Sequence, residues 1–211
     1  MSIIATNDQK PRELIPAGNY IARCYSMIHI GAVPDTYMGV PKIINKVRLG
    51  WELPTEKKVF DSARGAQPLV ISKTYTLSMA EKANLRKALA SWRGKDFTEE
   101  QAKSFDVTKL IGVACMLNII HKPSKDGTKT YEEISNVSPI PKGMVCPAQI
   151  NPNQVWEYDK PNYDVFNLLP DFLKTEIQTS EQYKKLHAPE NVSMDHVNAN
   201  DLTEPLDDLP F

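Results

Sequence analysis

The sequence predicts a mainly β (α+β) fold in which one helix interrupts a run of strands. Three observations predict it. Before residue 78, three stretches alternate apolar and polar side chains with period two. The period then lengthens to the helical one over Leu85, Ala88, Leu89 and Trp92. After Leu110 strand patterning returns around an Asp126-Gly127 hairpin signal.

Residues 1–16 read as a flexible lead-in. Gly18 to Ile30 reads as a strand, with Tyr20, Ala22, Cys24, Ser26 and Ile28 on one face and Ile21, Arg23, Tyr25, Met27 and His29 on the other. Gly31 to Pro41 has no period, and its Gly and Pro content predicts a loop. Lys42 to Leu53 resumes alternation, with Val47, Leu49, Trp51 and Leu53 opposite Lys46, Arg48, Gly50 and Glu52. Pro54 to Gln67 reads as a charged, turn-prone connector, and Pro68 to Leu77 as a third strand rich in β-branched residues. Ser78-Met79-Ala80-Glu81 has the form of a capping box ahead of the helix, and Gly94 suits its end. Thr98-Glu99-Glu100-Gln101 starts a shorter helical turn in the same way. Leu110 to Ile120 is an apolar run of strand length, His121 to Thr130 a hairpin loop, and Tyr131 to Ser138 the returning strand.

Three strands, a helix and a two-strand hairpin is the element order of an OB-fold, a five-stranded Greek-key barrel with a helix between strands 3 and 4. The predicted organisation is a lead-in, an OB-fold domain over 17–142, a Pro-rich extension over 143–188 with short helices packing on the barrel, and a disordered acidic tail over 189–211.

Composition bounds the function. In 211 residues, 41% are hydrophobic and 24% charged, which fits one folded core with polar appendages. No apolar run approaches the roughly 20 residues of a membrane helix, and no secretory signal is visible at the N-terminus. Cys24, Cys115 and Cys146 are odd in number and widely spaced, which predicts reduced core thiols in a cytoplasmic protein. Six of the 26 acids (Glu190, Asp195, Asp201, Glu204, Asp207 and Asp208) and none of the 25 Lys and Arg lie from Pro189 onward. The preceding residues therefore carry 25 bases against 20 acids, a net charge of about +5. A basic body with an acidic end points to a polyanionic partner and to a tail that can compete with it.

The sequence offers no phosphate-cradling glycine loop, no HExxH and no GxSxG, and its histidines (His29, His121, His187, His196) are scattered. No catalytic residue, metal ligand or cofactor is expected. Single-strand binding needs cations for the backbone and aromatic faces for the bases. The candidate surface carries Arg23 and Tyr25 on the first strand, Lys42, Lys46 and Arg48 on the second, and Lys73 and Tyr75 on the third. Tyr37 lies in the first predicted loop, and Lys122, Lys125, Lys129 and Tyr131 on the late hairpin. In an OB-fold those two loops flank the binding face. The alternative is that the outward cations are merely solvated and that Tyr25 or Tyr75 caps the core. Trp51 and Trp92 lie on apolar faces and read as core.

The last five residues, Asp207-Asp208-Leu209-Pro210-Phe211, resemble the acidic tip of bacterial single-stranded DNA-binding proteins, with Leu209 where that family has Ile. The body is similar to a family of bacteriophage replication-region proteins regarded as single-stranded DNA-binding proteins with an OB-fold. The likeness runs over about residues 16–186, through Gly18-Asn19-Tyr20-Ile21-Ala22-Arg23, Trp51-Glu52-Leu53, Ser72 to Ser78, Leu85 to Lys95, Leu169-Pro170-Asp171-Phe172-Leu173 and Ser180-Glu181-Gln182-Tyr183. These resemblances imply a non-enzymatic protein that coats single-stranded DNA in phage replication or recombination. They imply a tip that docks on replication or repair proteins of the phage or its host. Such a tip offers an apolar plug and carboxylate in Phe211, acidic attraction in Asp207 and Asp208, and low entropy loss at Pro210. The rival readings are an OB-fold protein–protein adaptor, a strand-annealing recombination protein and a metal-dependent nuclease.

Overall fold

The computed structural model describes residues 13–37 and 39–188. Most of the expected lead-in, and the whole acidic tail with its tip Asp207 to Phe211, lie outside the described residues. The architecture is mainly β. Strands β1 (Gly18–Tyr37), β2 (Val40–Asp61), β3 (Gly65–Thr76), β4 (Ala114–Pro123) and β5 (Thr130–Ser138) form a strongly curled antiparallel sheet. Their order is β3-β2-β1-β4-β5, and a short β6 (Gln154–Trp156) pairs parallel with β1. The curl is that of a half-barrel, compatible with a β-barrel.

The inner face of the sheet holds the first core. Val47, Leu49, Trp51 and Leu53 of β2 meet Cys115, Leu117 and Ile119 of β4, and helix α1 (Asn84–Arg93) closes over them with Leu85, Leu89 and Trp92. The Trp92 indole N–H donates to the Ala114 carbonyl at 3.0 Å, so a core aromatic carries its polar atom into the interior with a partner. Gly94 ends α1 in the left-handed conformation at φ 66°. The start of α1 differs from expectation. The helix begins at Asn84 after Ala83, with no side-chain cap, and Ser78 instead accepts from the Ala80 N–H in a preceding turn. The reciprocal Thr98/Gln101 box does form, at the head of α2 (Glu99–Lys103). β4 starts at Ala114 rather than Leu110, because Asp106 caps a single 3₁₀ turn over Val107–Leu110.

β1 does not keep one alternation. Cys24 faces Trp51 while Ser26 faces Gly50, so Tyr25 is the extra residue of a β-bulge. Before it, Ala22 and Cys24 enter the first core; after it, Met27 does so and Ile28 turns to the opposite face. A one-residue insertion exchanges the faces of everything beyond it. A second bulge at Ile30, between the pairs His29–Val47 and Gly31–Lys46, exchanges the faces again, so that Ile28, Ile30 and Val33 all meet a second core built from Trp156 of β6, Val165 and Phe166 of α3 (Tyr163–Leu168), and Leu173 and Ile177 of α4 (Asp171–Thr179). Helix α5 (Glu181–Leu186) completes the contact at Gly31, whose φ is 94°. A Cβ there would lie 2.8 Å from the Ser180 Cβ and the Tyr158 hydroxyl, so only glycine admits this approach.

The expected loop over 31–41 and connector over 54–67 are strands instead. β1 and β2 pair out to Tyr37 and Val40, and β2 and β3 pair out to Asp61 and Gly65. Pro34 and Pro41 sit in a ribbon that has open edges, where a missing N–H costs little.

A latch fastens the extension to the sheet. Arg23 donates to the carbonyls of Gly112, Cys146 and Pro147, at 2.6 Å for Gly112 and 2.9 Å for the shorter Pro147 contact. Its cross-strand partner Glu52, 0% exposed, accepts from the backbone N–H groups of Ile150 and Asn151 at 2.7 Å each.

Candidate nucleic-acid interface

The residues expected to bind divide into those that one surface gathers and those that it does not. Arg23 spends its donors on the latch. Tyr75 is 5% exposed within the first core, where burial pushes its phenol well up; its ring faces inward, with the Lys73 ammonium 5.9 Å from its centroid. Sequence alternation is responsible, since Tyr75 pairs with Val47 and must share its inward face. Tyr37 and Lys42 lie at the tip of the β1–β2 ribbon, at the opposite end of β1 from β4, whose Ile119 pairs with Gly18. The structure therefore does not bring them to the late hairpin. Lys42 is exposed. Lys46 is neutralised by Asp35 at 2.7 Å and Glu176 of α4 at 3.1 Å. Burial pulls its ammonium down, but those two hydrogen bonds outweigh burial and hold its pKa above the ordinary lysine value.

Of the remaining residues, Lys73 and Lys122 form a band with Glu133 at the open seam of the half-barrel, and Arg48 lies on the opposite face of the sheet from Lys73. β3 and β5 share no ladder among the described residues, and Lys73 spans the gap. Its ammonium donates to the Ile134 carbonyl at 2.5 Å and reaches Glu133 at 3.4 Å. Glu133 also binds Lys122 at 2.7 Å, and that hydrogen bond, with charge from both lysines, holds its carboxyl below the usual range. Lys122 pairs across the hairpin with Tyr131, which is 45% exposed. On the outer face, Thr74 accepts from its cross-strand partner Arg48 at 3.1 Å. Tyr25, half-buried at the bulge, lies within range of the Arg48 charge; burial first, then Glu52, raises its phenol. The seam itself is a cleft of about 420 Å³ lined by Lys73, Thr74, Asn84, Lys87, Ser135 and Asn136.

The β4–β5 turn presents its cations on a fixed frame. Asp126 accepts from the Ser124 and Thr128 hydroxyls and from the Thr128 N–H, which hold its carboxyl down to about 2. Gly127 takes φ 70°, as the turn requires. Lys125 and Lys129 project from this turn exposed and carry no ion pair among the described residues.

Sequence reasoning missed three contributors. Glu133 reveals itself only at the seam, where it clamps two lysines. Lys87 stands on the exposed flank of α1. Phe172, 60% exposed at the start of α4, sits 5.8 Å from the Arg48 guanidinium carbon. A signal for Phe172 existed: Leu173 and Ile177 set the buried stripe at i, i+4, and a Phe beside that stripe is an unpaid apolar surface.

Among the described residues no group of three or more His, Cys, Asp or Glu could hold a metal ion, and no helix is long and apolar enough to cross a membrane. Comparison of the chain with protein-family models, with curated proteins and with solved structures gives no match.

Proposed function

We propose that this chain is a sequence-tolerant single-stranded DNA-binding protein with an OB-fold, acting in the cytoplasm of a phage-infected host without catalysis of its own. The observation that carries this reading is the row of Lys73, Glu133 and Lys122 at the open seam, flanked by the exposed Tyr131 and by Lys125 and Lys129, which carry no ion pair among the described residues. Cations spaced along a groove meet the phosphates, and an aromatic at its edge meets a base. The strand order β3-β2-β1-β4-β5, with a helix between β3 and β4, supports the OB-fold. The acidic tip serves to recruit replication or repair proteins, and the tail competes with DNA for the basic band.

The test is a titration of labelled single- and double-stranded oligonucleotides at several salt concentrations, with the full chain and with a chain ending at Pro189. The reading predicts preference for the single strand, affinity that falls steeply with salt, and tighter binding once the tail is removed. Equal affinity for both DNA forms contradicts it. Binding to neither contradicts it in favour of a protein adaptor.

A further inference from the structure

The cleft at the open seam is rich in hydrogen-bond donors and lacks carboxylates. Its floor is apolar, made by Tyr75, Ile134 and Val137 of the first core. Polar side chains reach it from three elements: Lys73 from β3, Asn84 and Lys87 from α1, and Asn136 from β5. No Asp or Glu lines it among the described residues. Several of its donors are unused. Asn136 accepts from the Ser91 hydroxyl through Oδ1 at 3.0 Å, and its amide N–H groups have no partner among the described residues. Lys87 is exposed and carries no ion pair among the described residues, and the Asn84 side chain makes no hydrogen bond among them. Lys73 uses two of its three donors, on the Ile134 carbonyl at 2.5 Å and on Glu133 at 3.4 Å, and those contacts hold its ammonium at the seam. The group that suits two ammonium ions and two amides, with no carboxylate to oppose it, is an anion with several acceptor oxygens. Phosphate has that chemistry. A volume of about 420 Å³ admits a phosphate together with its sugar.

We propose that the seam cleft seats a phosphodiester of the bound strand between Lys73 and Lys87, so that α1 lies on the DNA path beside the sheet. This rests on the single-strand-binding reading above and adds to it a contact made by the helix.

The experiment titrates a labelled oligothymidylate at several salt concentrations into the full chain and into Lys87→Ala, Asn136→Asp and Lys95→Ala. Lys73 is left in place because it also closes the seam. Lys87→Ala is expected to flatten the slope of log affinity against log salt by about 0.7, the value for one lost single-strand phosphate contact. Binding should weaken about 5-fold at about 0.1 M salt. Asn136→Asp keeps the acceptor for Ser91 and sets a carboxylate where the free amide was, so it should weaken binding at least as much. Lys95→Ala removes an equal charge just past the end of α1 and outside the cleft, and should leave slope and affinity unchanged. Melting temperatures of Lys87→Ala and Lys95→Ala should match wild type. Wild type that binds oligothymidylate with the same slope and affinity as Lys87→Ala overturns the cleft and leaves the single-strand reading standing. Unchanged binding by Asn136→Asp also overturns the cleft. So does equal flattening by Lys87→Ala and Lys95→Ala, because loss of charge anywhere on the surface then accounts for it. Melting with inorganic phosphate or thymidine monophosphate separates a free ligand from the strand. Stabilisation by either that requires Lys87, with oligothymidylate binding unaffected by Lys87→Ala, overturns the proposal in favour of a free-phosphate site. No binding of the strand by wild type overturns both readings.

Discussion

Glu133 holds two cations that a phosphate would otherwise meet. Replacing it with Gln keeps the shape and frees Lys73 and Lys122. Glu133→Gln is therefore expected to tighten single-strand binding about 2- to 5-fold, consistent with a partly screened charge worth about 0.5–1 kcal/mol. The cost to stability is of the same small size. Its sign with pH follows from the lowered carboxyl. Such a group stabilises fully above its unfolded value of 4.5 and loses that contribution as pH falls through the lower folded value. Urea midpoints of wild type and Glu133→Gln should differ at neutral pH and converge in acid; a difference that grows in acid contradicts the clamp. The two tyrosines separate binding from folding in the same manner. Tyr131→Ala should weaken oligonucleotide binding by about 1–3 kcal/mol with little change in melting temperature. Tyr75→Ala should cost about 3–5 kcal/mol of stability by leaving a core cavity. Equal effects of the two on melting would contradict their opposite placement.

At the scale of elements, the latch and the bulge decide how the extension sits. Glu52 is a buried carboxylate that satisfies two backbone N–H groups and the Asn151 amide. Glu52→Ala strands those donors, at about 1–3 kcal/mol for each one left unpaired, and should raise hydrogen exchange over 150–156 before it does so in β2. Gly31→Ala should destabilise by more than about 1 kcal/mol, since φ 94° and a 2.8 Å Cβ contact act together. These elements also mark what the sequence makes legible. Gly94, the Thr98 box, the α1 stripe and the Asp126-Gly127 turn are local chemistry, and each appears where its residues predict. The inward set Val47, Leu49, Trp51 and Leu53 is equally local, because period two alone fixes it. The Tyr25 bulge is not, because an unpaired residue in β1 exists only relative to β2. Lys46 likewise looks free until Glu176, 130 residues later, comes to meet it. The arms through Pro34 and Pro41 look like loops because proline argues against a strand only where both edges are paired.

For the whole molecule, two cores back on opposite faces of β1, and the band of Lys73, Glu133 and Lys122 lies where the half-barrel stays open. Closure by Lys73 in place of a strand ladder makes the seam both a structural joint and the middle of the proposed DNA path. Lys125 and Lys129 stand outside that joint, on a turn already fixed by Asp126, so they can be removed without disturbing it. That makes them the cleanest probe of whether DNA follows the band. The decisive measurement is the slope of log affinity against log salt concentration for a single-stranded oligonucleotide, with wild type and Lys125→Ala/Lys129→Ala compared. Two lost phosphate contacts should flatten the slope by about 1.4 and weaken binding at low salt, with an unchanged melting temperature. An unchanged slope and affinity would contradict a single strand lying along this surface.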